Sequence, residues 1–293
     1  MQTVVRPTLP IDLTTLRTMR HGPRDPSIRV RNGEVWRAVH TPIGAASVCY
    51  AARGSEFVVD AWGPGAAWCI ETAPDVLGAR DCLDGWEPGR HRVVAELDRR
   101  MPGLRMIATH AVMEAAIPTV LEQKVTSEEA HESWRKIVWR WGEPPPGPLS
   151  VRLPPTAHRL SREPYWRYHA FGIESKRADA VRRLASRPKR VEEALSVGRS
   201  RLEAFAGVGE WTSAKVAQVA WADADAVPVG DYHLAAAVVY ALTGRRNGDD
   251  DAMMELLEPF APHRGRAATL IKAGYGAQPR RAPRARLRDV AAT

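Results

Sequence analysis

Two short stretches carry the residue types and spacings best suited to chemistry. Leu202-Glu-Ala-Phe-Ala-Gly207-Val208-Gly209-Glu210-Trp211-Thr212-Ser-Ala-Lys215-Val216 reads as two short helices joined by Gly-Val-Gly. A glycine at each end of that turn admits backbone torsions that a Cβ forbids. The glycines also leave N–H groups bare at the start of the second helix, a ready site for an anion held without base reading. Farther along stands Val227-Pro-Val-Gly-Asp231-Tyr232-His233. Asp231 follows a glycine and opens a helical stretch, so by itself it reads as a helix cap. Cys49, Cys69 and Cys82 match no zinc spacing, and three thiols cannot supply a four-thiolate iron–sulfur cluster. Sparse and odd in number, they are expected to be reduced, partly buried thiols.

The chain has 293 residues, 44% of them apolar and 26% charged. That is close to the globular average, which excludes collagen-like, disordered and disulfide-scaffold classes. No apolar run approaches the ~20 residues of a membrane span, and the N-terminus lacks an apolar secretory core. A cytosolic protein is expected, nucleoid-associated if its source is bacterial. The net charge of +8 favours polyanionic partners. Half of it sits in residues 279–293, where five Arg and one Asp give +4. This stretch reads as a disordered basic tail, either a salt-sensitive phosphate contact or a solubilising end.

Other elements must position the two stretches. Apolar and polar residues alternate on both sides of Asn32-Gly33, a strong hairpin signal, and β-prone runs follow at Ala46–Ala52 and Phe57–Trp62. From Arg90 the spacing turns helical, at His91–Arg100, Ala111–Leu121 and Glu128–Trp141. Thr126-Ser-Glu-Glu129 fits a capping box, which leaves Gln123-Lys124-Val125 as a tight exposed corner. Pro118 is expected to kink or shorten the helix before it. Six prolines within 142–156 predict a semi-rigid extended connection. Helical spacing resumes over most of 165–273. Trp134, Trp139 and Trp141 read as core or domain-contact residues. The fold class is α+β: an N-terminal antiparallel sheet domain (1–104), a helical body (105–278) and the tail (279–293).

The hairpin followed by Val227-Pro-Val-Gly-Asp-Tyr-His233 resembles the helix-hairpin-helix (HhH-GPD) DNA glycosylase superfamily, in particular the 3-methyladenine DNA glycosylase II branch. That signature is a hairpin, a Gly/Pro-rich loop and an essential Asp. Three further segments agree. Val120-Leu-Glu-Gln-Lys-Val-Thr126 is similar to the branch's Ile-Leu-x-Gln-x-Val-Ser corner. Phe171-Gly-Ile-Glu-Ser-Lys-Arg-Ala-Asp179 is similar to its Leu-Gly-x-x-x-x-Arg-Ala-Glu helix start. Pro259-Phe-Ala-Pro-His-Arg-Gly-Arg-Ala267 resembles its Pro-Trp-Arg-x-x-Ala helix. The match spans roughly residues 105–275, and more loosely the sheet.

The resemblance implies excision of a damaged base, by default an alkylated purine, from duplex DNA after the nucleotide is flipped out. Oxidised or deaminated bases are competing substrates, and a non-catalytic DNA- or lesion-binding protein is the rival class. Asp231 takes the family's catalytic place, stabilising the cationic sugar of the transition state and orienting water. Trp211 stands where bifunctional members carry a Schiff-base Lys, so a monofunctional enzyme that leaves an abasic site is implied. Lys215 reads as a phosphate contact or solvated side chain, with a displaced nucleophile as the lesser alternative. Lys124 departs from the apolar wedge of relatives. Gln123 faces DNA or caps the adjacent helix. Lys215 and Lys272 hold the positions of the branch's base-stacking rings, and a cationic lining suits a neutral base; Trp211, Trp221, Tyr232 and His233 are alternative rings. Gly207, Val208, Gly209, Glu210, Thr212 and Lys124 are the implied DNA contacts. No resident cofactor or iron–sulfur cluster is expected beyond a monovalent cation at the hairpin carbonyls, and the working unit is expected to be a monomer.

Overall fold

The computed structural model describes residues 1–31 and 33–275. The tail at 279–293 and Asn32 of the first turn lie outside them. Five strands, β1 (Gln2–Val5), β2 (Ile28–Arg31), β3 (Glu34–Thr41), β4 (Gly44–Arg53) and β5 (Glu56–Trp62), form one antiparallel sheet. Its order is β1-β5-β4-β3-β2. The alternation seen in the sequence is realised: Phe57, Val59 and Ala61 of β5 point inward while Glu56, Val58 and Asp60 are more exposed. That inner face buries Val48, Tyr50 and Val59 against Cys69, Ala73 and Val76 of α1 (Ala66–Leu77). Strand β1 and helix α1 carry no distinct sequence signal and were not anticipated. Cys49 and Cys69 are buried thiols, each pushed up to about 11 by desolvation, whereas Cys82 is exposed.

The helical body begins after α2 (Arg92–Arg100). It comprises α3 (Val112–Leu121), α4 (Ser127–Trp141), α5 (Ala157–Arg162), α6 (Tyr165–His169), α7 (Ser175–Ala185), α8 (Pro188–Glu192), α9 (Ala194–Val197), α10 (Ser200–Glu203) and α11 (Glu210–Ala220). One core joins these helices, with Val120, Trp134, Val181, Leu202 and Val216 at its heart. Helix α3 runs through Pro118 without ending there, and the Glu122 N–H donates back to the Pro118 carbonyl at 3.2 Å. Trp134 and Trp141 are core residues as expected, but Trp139 is 56% exposed and corrects that reading.

A second helical cluster contains α12 (Leu234–Thr243), α13 (Asp250–Leu257) and α14 (Arg264–Tyr275). Val94 and Leu97 of α2 share its core, so α2 packs with the C-terminal helices although it precedes residue 105. Two buried ion pairs fix the arrangement. Arg37 of β3 donates twice to Glu114 of α3, at 2.9 and 2.8 Å, tying the sheet to the helical body. Arg266 of α14 donates to Asp81 at 2.8 and 2.5 Å, anchoring α14 beneath the loop that follows α1. Breaking either from one side strands a buried charge, which typically costs about 3–5 kcal/mol. The Pro-rich connection lies along the sheet, with Val151 and Leu153 packed on Ala38 and the Ser47 hydroxyl donating to the Pro146 carbonyl.

Candidate active site

The hairpin anticipated from Gly-Val-Gly joins α10 to α11. Gly207 takes φ +96°, and an added Cβ would lie 2.8 Å from the Ala180 Cβ, so the first glycine is required twice over. Gly209 is different. Its φ is −107°, and no atom lies within 4 Å of where a Cβ would stand. Neither its torsion nor its surroundings in this structure demand a glycine there. Among the described residues no side chain caps α11, which leaves its first N–H groups facing outward. Gly207, Gly209 and Glu210 are exposed, while Val208 points into the core. Thr212 is 2% exposed, so the residue is not open to a ligand in this arrangement.

Gln123 explains how the hairpin is held. Its amide donates to the Gly207 carbonyl at 2.9 Å and to the Thr212 hydroxyl at 2.8 Å. It neither caps its neighbouring helix nor points freely outward; it clamps the turn from below. Lys124, next in sequence, is exposed at the corner tip with φ +55°, a left-handed torsion uncommon for a residue with a Cβ. The capping box predicted at Thr126 and Glu129 forms as expected and starts α4 immediately after the corner. A monovalent cation would use second lone pairs of hairpin carbonyls, since those of Phe205 and Gly207 already accept one hydrogen bond each.

Asp231 lies where the two helical clusters meet, on the loop from α11 to α12. Pro228 and Gly230 (φ +86°) shape that loop, and Asp250 accepts from the Gly230 N–H at 3.1 Å. The two carboxylate oxygens are used differently. Oδ1 accepts from the His233 and Leu234 N–H groups at 3.1 and 3.2 Å, which is the capping role. Oδ2 faces across to Trp211 of α11, whose indole N–H donates to it at 3.4 Å. Burial opposes the charge on Asp231. The Lys272 ammonium on α14, the His233 N–H, the Trp211 N–H and Lys215 outweigh it and hold the carboxyl below its ordinary range. It is therefore ionised at neutral pH.

Lys215 corrects the sequence reading. Rather than reaching solvent or phosphate, its ammonium is ion-paired with Glu122 at the end of α3. It lies 4.7 Å from the Trp211 ring centroid, a cation–π contact. Glu122 is flanked on its other side by His21, at 3.4 Å. Burial disfavours its charge, but His21 and Lys215 together pull its pKa down to about 2. The lining is thus a paired one rather than doubly cationic, since only Lys272 of the two lysines is exposed. Tyr232 is 91% exposed and meets His233 edge-on, so it is not core, whereas Trp221 packs partly against the core. Glu122 and His21 were missed. Glu122 was visible only as part of a corner, and His21 is brought to it from the far N-terminal segment with no local pattern to announce it.

No protein-family model and no curated protein matches the chain. Solved structures do. The 3-methyladenine DNA glycosylase of Archaeoglobus fulgidus superposes with TM-score 0.78 at 18% identity, over 92% of this chain and 97% of that one. MBOgg1 in complex with a low-affinity DNA ligand gives TM-score 0.72 at 15% identity, over 92% and 93%. The apo 8-oxoguanine glycosylase/lyase of Clostridium acetobutylicum gives 0.70 at 13% identity, over 92% and 95%. The fold is that of the helix-hairpin-helix DNA glycosylases, α+β with an N-terminal antiparallel sheet. Among the described residues no helix is long and apolar enough to cross a membrane, and no group of three or more His, Cys, Asp or Glu is placed to hold a metal ion.

Proposed function

We propose that this chain is a monofunctional DNA glycosylase of base excision repair, a cytoplasmic monomer that hydrolyses the N-glycosidic bond of a damaged base flipped from duplex DNA. The observation that carries the reading is the ionised Asp231 carboxylate, held at the junction of the two helical clusters with Oδ2 turned away from its capping partners. As the base departs, positive charge develops on the deoxyribose, and a fixed carboxylate stabilises it more than it stabilises the ground state. The same oxygen can orient the attacking water. The bare start of α11 holds the backbone phosphate that positions the flipped nucleotide, and Lys124 projects from the opposite corner toward the gap the base leaves. Its ammonium head, unlike an apolar wedge, ends on phosphate.

Cleavage of the glycosidic bond without strand scission follows from Trp211. An indole cannot form a Schiff base, and the nearby amine, Lys215, is charged and paired with Glu122. Alkylated purines are the default substrates. A neutral oxidised or deaminated base is favoured by one observation: Lys215 already occupies a face of Trp211, so part of the cation–π attraction a cationic base would draw from that ring is taken. The test is a panel of duplexes, each with one lesion, analysed before and after hot alkali. Breaks that appear only after alkali support the monofunctional reading. Breaks without alkali mean a lyase, and binding with no breaks across the panel means a lesion-binding protein.

A further inference from the structure

Five arginines outside the candidate active site line one cavity. A cavity of about 610 Å³ lies between the segment preceding β2, the outer face of α4 and the Pro-rich connection. Arg20, Arg24, Arg29, Arg135 and Arg152 line it together with the exposed ring of Trp139, and Asp231 and the hairpin are not among its lining residues. The acidic residues nearby do not balance this charge. Asp25 is buried, and its oxygens accept from the Ser27 and His21 N–H groups, the Ser27 hydroxyl and the Trp134 indole. Glu132 is shared among Arg135 and the more distant Arg24 and Lys136. Arg152 donates to the Val138 and Gly142 carbonyls, and its guanidinium stands over the Trp139 ring, 5.0 Å from the centroid. The Arg20 Nε is buried without a hydrogen-bond partner.

An exposed indole on a rigid helix, beside fixed guanidinium groups and between proline walls, matches the demands of one ligand chemistry. Phosphates take the guanidinium charge, and a base stacks on the ring. An acidic peptide would use the arginines but would leave the indole without a purpose. The groove is also not isolated from the candidate active site: the segment carrying Arg20 and Arg24 carries His21, which contacts Glu122. Trp139 is on the same helix that begins at the Lys124 corner, about 18 Å along its axis from Ser127.

We propose that this groove is a second nucleic-acid site, which binds a single-stranded DNA segment through phosphate–arginine contacts and a base stacked on Trp139. It is independent of the excision chemistry at Asp231. The test uses a fluorescein-labelled oligothymidylate 12-mer titrated with the full chain across a salt series, with Trp139→Ala and the double variant Arg24→Glu/Arg29→Glu. All three side chains are exposed, so the fold should survive; thermal unfolding checks this. Trp139→Ala is expected to bind the oligonucleotide about tenfold more weakly. The double variant is expected to flatten the slope of log affinity against log salt by about 1.4, two single-strand contacts at ~0.7 each. Excision from a short lesion duplex should be unchanged in Trp139→Ala. Unaltered affinity and slope in both variants would overturn the proposal. So would displacement of the oligonucleotide by an equal concentration of a glutamate-rich peptide, which would assign the groove to acidic protein segments.

Discussion

Trp211 and Asp231 are joined by a hydrogen bond of 3.4 Å that runs from the indole N–H to the one carboxylate oxygen not engaged in capping α12. Asp231, on the loop before α12, thus links the start of that helix to α11. A carboxylate engaged only as a cap would face its own helix. This one divides its oxygens between the cap and the junction, and the long, off-optimal bond leaves Oδ2 available to a better partner.

The chain of contacts His21–Glu122–Lys215 makes a prediction about acid stability. Glu122 falls from an ordinary 4.5 to about 2 on folding, with burial opposing the shift and His21 and Lys215 driving it. A carboxyl depressed in the folded state stabilises the protein above its unfolded pKa, and that contribution is lost as pH falls through the folded value. The window is therefore about pH 4.5 to 2, and the contribution above it is on the order of 3 kcal/mol. Glu122→Gln should be less stable at pH 7 and should lose less stability on acidification. Urea unfolding at pH 7, 4 and 3 measures both. Parallel acid losses in the two proteins would show that Glu122 carries no such linkage.

The two hairpin glycines should fail in different ways. Gly207→Ala forces a Cβ into a left-handed torsion and against Ala180, so it should destabilise the fold by about 1–3 kcal/mol. Gly209→Ala meets open space at an ordinary torsion. It should melt like the parent yet bind every duplex more weakly, whatever the lesion, because its methyl stands where a phosphate must approach. Calorimetry and duplex titration together separate the two effects. Equal duplex affinity in Gly209→Ala would remove the hairpin from the DNA interface.

Gln123 is expected to act through the hairpin. Gln123→Ala leaves the Gly207 carbonyl and the Thr212 hydroxyl without their donor, at a cost of about 1–3 kcal/mol. Gln123→Glu should be worse, since it sets a carboxylate oxygen against the Gly207 carbonyl. A direct DNA contact would instead weaken binding with thermal stability intact. The melting temperatures of the two variants decide between these roles.

Much of the scaffold was legible because its signals are local. Alternation around Asn32-Gly33 gave the β2–β3 pairing, and the Thr126/Glu129 box gave the start of α4. The hairpin and Asp231 each have an ordinary structural reading alone, and stood out only because the two together resemble a known signature. Strand β1 escaped because four residues at a sheet edge carry little pattern, and α1 because its face is mixed. The errors at the site are all long-range. Lys215 was read as a phosphate contact or solvated side chain because its partner Glu122 lies 93 residues away, and Gln123 as facing DNA or capping the adjacent helix because its acceptors lie 84 and 89 residues away. Trp139 was read as a core or domain-contact residue from helical spacing, but it is exposed and lines the cavity of arginines.

The central claim rests on the charge of Asp231, and Asp231→Asn tests it most directly. Asparagine keeps an oxygen for the His233 and Leu234 N–H groups, so the helix start and the melting temperature should be preserved. Under single-turnover conditions on a lesion duplex that the parent cleans, excision should fall by at least about a hundredfold, with duplex affinity equal or higher because a negative charge near phosphate is gone. Excision at the parent's rate by a well-folded Asp231→Asn protein would contradict the account.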